Sequence, residues 1–166
     1  IELGQPEQYP EVAEAFLRRH PYEFIIGSVH NLDKVPDFCM MNFECIPDAL
    51  ASQLFDRTLD EMNALIDFPI TTLAHLTYQT RYMAMAGKPF DFAPHRDKTA
   101  ALLKKLISRG IALEVNVSTV WRGLGFTMPQ AEIIALYRDL GGSLITIGSD
   151  AHSPVNLGRG INEGLE

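Results

Sequence analysis

The strongest constraint in this chain is an alternation of short, β-rich apolar bursts with longer stretches of helical period. The bursts fall at residues 24–29, 70–74, 112–117 and 144–147, and residues 1–3 read as the tail of a fifth. That rhythm predicts an α/β architecture with a parallel sheet, each strand returning to the next over a helix. The bursts show no clean polar–apolar alternation, which predicts strands covered on both faces. Helices are expected over residues 9–19, 48–67 and 97–109, the last with Gly110 as its C-terminal cap. A further helix should open at Thr127 as N-cap, with Gln130 as its capping-box partner, and bury Ile133, Ile134, Tyr137 and Leu140. Residues 31–47 and 78–94 follow strands, carry few periodic signals and read as loops, the segments on which α/β proteins build sites. No repeat, low-complexity stretch or linker divides the sequence, so residues 1–166 are expected to form a single domain.

Composition narrows the function. The chain is 46% hydrophobic and 21% charged, enough for one substantial core. Its formal charge of −7 argues against nucleic acid as a partner, since phosphate-gripping domains are usually basic. No apolar run approaches the ~20 residues of a membrane helix, and no export signal is apparent. Two cysteines, Cys39 and Cys45, are too few for a disulfide framework. The expectation is a cytoplasmic protein with no membrane association.

Chemistry collects where strands end. Val29 is followed by His30, Ala74 by His75, and Ile147 by Gly148-Ser149-Asp150-Ala151-His152, while the opening strand tail holds Glu2. Parallel strands present their C-terminal ends on one side of a fold, so these distant residues should converge. One histidine after a strand is usually a packing residue. Three strand ends doing the same, with a carboxylate on a fourth, form a ligand set for zinc, manganese or iron. Asp150 and His152, two apart on an extended segment, can face one cluster. Arg81 follows the His75 strand, Arg122 the Asn116 strand and Arg159 follows His152, and each could supply paired donors to a phosphate ester. His20 reads as a surface residue and His95 as part of a helix start, within reach of the site only if its loop folds over it. Trp121 reads as a cover over one end of the fold.

These stretches resemble the PHP (polymerase and histidinol phosphatase) family, and within it the histidinol-phosphate phosphatases. The resemblance runs through Ile1-Glu2-Leu3-Gly4, Ile26-Gly27-Ser28-Val29-His30, Leu73-Ala74-His75, Leu113-Glu114-Val115-Asn116 and Gly148-Ser149-Asp150-Ala151-His152, in family order across most of the chain. It implies a distorted seven-stranded (β/α) barrel, of which this chain supplies roughly the middle five strands with their helices. It also implies up to three divalent metal ions, zinc, manganese or iron. Glu2 would bridge two of them, His30 and His75 would complete one site, Asp150 would bind the other and His152 the third. Asp150 or His152 would serve catalysis as well, and Arg122, Arg81 and Arg159 would bind substrate. The implied reaction is hydrolysis of L-histidinol phosphate to L-histidinol and phosphate, in histidine biosynthesis. Two alternatives stand beside it: a phosphoesterase for another small phosphate ester or nucleotide, and a catalytically inert metal-binding fragment. The family's opening His-x-His segment and its closing strands have no counterpart here, so the sequence reads as an internal piece. Open sheet edges then predict either a homo-oligomer that covers them or a product of low stability.

Overall fold

A computed structural model describes residues 1–165. Its centre is one five-stranded sheet, β1 (Glu2–Gly4), β2 (Ile26–Ser28), β3 (Thr72–Leu73), β4 (Ala112–Asn116) and β5 (Ile145–Gly148). The strands lie in sequence order and every pairing is parallel. Helices α1 (Pro10–Leu17), α2 (Asp48–Leu65), α3 (Tyr78–Met85), α4 (Arg96–Ser108), α5 (Ser118–Trp121) and α6 (Ala131–Asp139) fill the connections. The sheet does not close into a barrel, because β1 and β5 each pair on one side only among the described residues.

Alternation governs the sheet more strictly than the apolar bursts suggest. Gly27 faces Leu65 and Ile70 on the helical side, and Leu73, Leu113 and Val115 are buried with that core. The opposite face is polar: Thr72 Oγ1 meets Thr146 Oγ1 at 2.8 Å, and Glu114 and Asn116 share it. Strand residues two apart point the same way, so β4 sends Leu113 and Val115 to the helices and Glu114 and Asn116 inward. The expectation of strands covered on both faces holds for β3 and β4, whose residues are all buried, but the inner face is polar. Most strands are three or four residues long, and the flanking apolar residues that masked their period lie outside them.

The helices pack their apolar stripes against that sheet. α2 buries Ala51, Leu54, Phe55, Leu59, Met62 and Leu65, spaced to fall on one side of the helix. α4 buries Leu102, Leu103 and Leu106, and α6 buries Ile133, Leu136 and Tyr137. α2 packs on α4 and α4 on α6, which makes a continuous outer layer.

Two expectations fail here. Residues 78–85 form helix α3 and not a loop; the helix buries Tyr78, Gln79, Thr80 and Arg81, so no apolar stripe announced it. The helix expected from Thr127 starts at Ala131, because Met128 still pairs with Asn116 in an antiparallel bridge. Thr127 Oγ1 donates to the Pro129 carbonyl, and the Gln130 amide donates to Thr80, so no capping box forms. The outer segment 31–47 is ordered by two short 3-10 turns, each capped by the side chain before it, Asp37 or Asn42.

Candidate metal centre

β1, β2 and β3 lie side by side, and their polar face brings Glu2, His30 and His75 together. His30 Nε2 lies 3.1 Å from Glu2 Oε1 and His75 Nε2 lies 3.5 Å from the same oxygen. One ligand atom from each of the three falls within 4.8 Å of the others, and no other such group occurs among the described residues. Gly4 lies beside this cluster, 3.7 Å from both His30 Nδ1 and Ser28 Oγ as judged by the position of an added Cβ.

The surroundings favour charge. Hydrogen bonds from His30 and then His75 hold the Glu2 carboxyl far below the usual carboxylate range, against the opposing effect of burial. His75 is only 3% exposed, and its Nδ1 is buried without a partner. Tyr78 packs against both imidazoles, at 4.9 Å from the His30 ring and 5.0 Å from the His75 ring. Its phenol is pushed far above its ordinary range by burial and by Tyr82, so Tyr78 stays neutral. Two imidazole nitrogens converging on one carboxylate oxygen fit a divalent ion of the zinc, manganese or iron type.

A second group stands on the next strands. Asp150 follows β5 with a positive φ of 52°, and its Oδ2 accepts from Arg81 Nη2 at 2.7 Å and from Ser118 Oγ at 3.3 Å. Burial alone would raise this carboxyl, but the hydrogen bond and charge of Arg81 outweigh it and keep Asp150 below its ordinary value. Arg81 also donates to Ser118, while its Nε is buried with no partner. His152 stands at the surface with its side chain 80% exposed, Nδ1 3.6 Å from Asp150 Oδ1. Asp150 and His152 thus lie outside the three-residue cluster.

The remaining sequence candidates divide clearly. Arg122 and Arg159 are exposed and stack on Trp121, with guanidinium carbons 4.5 and 5.2 Å from the indole. Trp121 donates to the Ser149 carbonyl at 3.0 Å, which ties this cationic group to the strand end that carries Asp150. His95 lies away from the centre: it is buried between Phe55 and Phe90 and bonded to Ser52 and Asp56, joining α4 to α2. Cys39 and Cys45 are free and exposed, and His20 is exposed. Sequence reasoning gave no role to Glu114, whose Oε2 accepts from the His75 backbone N–H at 2.8 Å. Only its position in a strand beside Asn116 hinted at it.

An open parallel α/β sheet with a His-His-carboxylate centre on its polar face defines the class. Comparison with known proteins narrows it. No protein-family model matches the chain. A Thermotoga maritima protein named "Probable histidinol-phosphatase" is 34% identical over 142 residues, covering 86% of this chain and 53% of that protein. The HisK protein of Listeria monocytogenes shares the fold with a TM-score of 0.80 at 18% identity, covering 98% of this chain and 66% of that one. The histidinol phosphate phosphatase of Lactococcus lactis, solved with zinc, L-histidinol and phosphate, matches with a TM-score of 0.73 at 20% identity, covering 98% and 63%. The fold is thus that of these histidinol phosphatases, and the chain spans about half the length of its curated Thermotoga relative.

Proposed function

We propose that this chain belongs to a metal-dependent phosphomonoesterase of the PHP type, hydrolysing L-histidinol phosphate to L-histidinol and phosphate. The observation that carries the reading is the convergence of Glu2, His30 and His75. The sequence likeness to the Thermotoga protein and the Lactococcus complex with zinc, histidinol and phosphate support the substrate. Residues 1–166 make up part of a single domain of a cytoplasmic biosynthetic enzyme, and no helix among the described residues is long and apolar enough to cross a membrane.

Glu2, His30 and His75 would hold one divalent ion, with Asp150 and His152 available to neighbouring ions. Such an ion supplies Lewis acidity, lowering the pKa of water toward neutrality and drawing charge from phosphoryl oxygens. The protein's own groups do the rest. Arg81, held by Asp150 and Ser118, places a guanidinium charge at the strand end that carries Asp150. Arg122 and Arg159, held on Trp121, form a cationic rim beside the Asp150 segment. As water attacks phosphorus and the ester P–O bond breaks, the leaving alkoxide needs a proton. Asp150, kept ionised by Arg81, is a poor source. His152, exposed and with Nδ1 3.1 Å from the Asp150 carbonyl, is the alternative donor, a role that competes with binding an ion.

The test is phosphate release from L-histidinol phosphate, beside a nucleotide monophosphate and a sugar phosphate, with zinc or manganese present. Turnover selective for histidinol phosphate and lost in Glu2→Gln supports the reading. Preference for another ester moves the chain to a different phosphoesterase, and zinc bound without turnover supports an inert metal-binding module.

A further inference from the structure

Glu114 is a carboxylate 7% exposed, on a central strand, with no lysine, arginine or histidine side chain at ion-pair distance among the described residues. Burying such a group is costly unless each oxygen is satisfied. One oxygen is engaged: Oε2 accepts from the His75 backbone N–H at 2.8 Å and from Asn116 Nδ2 at 3.3 Å. The other lies against Gly148 of β5, where an added Cβ would collide with Oε1 and come to 3.0 Å from Cδ. Asn116 and Gly148 are register partners, so the gap is built into the pairing of β4 with β5.

What this carboxylate holds is unusual. His75 lies two residues past the end of β3 with φ at 23°, a conformation a residue with a Cβ rarely adopts. A backbone N–H turned out of the strand ladder in a buried place needs an acceptor, and Glu114 is that acceptor. In this conformation the His75 ring lies 5.0 Å from the His30 ring, with Nε2 toward Glu2.

We propose that Glu114 is the positioning residue of the metal centre: it fixes the His75 backbone so that Nε2 faces Glu2, in space that Gly148 leaves open. This rests on the reading of Glu2, His30 and His75 as metal ligands and deepens it. Asn116 extends the support, since its Oδ1 accepts from the Ser118 N–H at 3.0 Å and Ser118 in turn meets Asp150. One chain of bonds therefore links the His75 ligand to the Asp150 segment.

Two measurements on wild type, Glu114→Gln, Glu114→Ala and Gly148→Ala keep the two readings apart. The first is zinc affinity by competition with a chromophoric chelator. Loss of a group that orients a ligand typically weakens metal binding by about 10–100-fold. That loss is expected for Glu114→Ala and Gly148→Ala, and Glu114→Gln should recover most of it, because its amide oxygen can still accept the His75 N–H. The second is the NMR position of the His75 amide and imidazole in the metal-free protein, which should move in Glu114→Ala and stay near wild type in Glu114→Gln. If wild type binds no zinc, the ligand reading falls while the His75 resonances still decide the positioning role. Unchanged imidazole resonances in Glu114→Ala, or equal zinc affinity in wild type and that variant, would overturn the proposal.

Discussion

Replacing Gly27 by alanine tests how tightly the sheet is bound to the helices beneath the candidate metal centre. An alanine Cβ at this place in β2 would stand 2.7 Å from Leu65 Cδ2 and 2.8 Å from both Ile70 Cδ1 and Ile70 Cγ2. Carbon atoms pack best at about 3.5–4.0 Å, so three contacts fall short by roughly 0.7–1.3 Å. The Leu65 tip could turn, but Leu65 is fully buried and Ile70 presents a β-branched methyl that its backbone fixes. Overpacking of this kind costs about 1–3 kcal/mol, and the entropy advantage of alanine over glycine returns about 0.4–1 kcal/mol. The net loss should be about 1–2 kcal/mol, which for a chain of this size lowers the melting temperature by roughly 2–8 °C. Ser28, Val29 and His30 follow Gly27 directly, so displacement of β2 should also weaken zinc binding. Thermal melts and urea titrations of the metal-free protein measure the first effect, and chelator competition the second. A melting temperature equal to wild type would refute the packing argument.

Three further predictions follow from other parts of the molecule. Burial, reinforced by the neighbouring Glu61, pushes the Glu7 carboxyl up from 4.5 to about 8. The folded state then binds this proton more tightly than the unfolded chain, so the contribution to stability is lost as pH rises through about 8. Glu7→Gln should flatten urea-derived stability between pH 5 and 9, and an unchanged slope would count against the shift. Arg81→Met leaves Asp150 as an unpaired, largely buried charge and should cost about 3 kcal/mol in urea unfolding. Adding Asp150→Asn should restore part of that loss, and strict additivity of the two changes would contradict the pairing. Leu144 and Ile145 stand half exposed at the β5 edge, beside a groove lined by Val115, Ile134 and Ile147. Sedimentation should therefore find self-association, and a stable monomer would argue against exposed edges as docking strands.

Much of the fold was legible because parallel strands announce themselves by short apolar bursts, and the five bursts all became strands. The cluster of Glu2, His30 and His75 was legible for a related reason: the three sit in or just past those strands, and topology alone brings them together. What was hidden depends on contacts that local pattern does not carry. Helix α3 faces inward with Gln79, Thr80 and Arg81, so it lacks an apolar stripe. The start of α6 is decided by the bridge from Met128 to Asn116, which overrides a plausible capping box. Arg81 and Asp150 meet across 69 residues, and the grip of Glu114 on the His75 backbone joins a side chain on one strand to the end of another.

The most direct test of the account is zinc stoichiometry by plasma mass spectrometry on protein purified without chelating resin, for wild type and Glu2→Gln. Both imidazoles address the Glu2 carboxylate, so replacing its charge with a neutral amide should largely empty the centre while leaving the fold in place. The account predicts at least one bound ion per wild-type chain and a small fraction of that in Glu2→Gln. Equal metal content in the two proteins, or none in wild type, would contradict it.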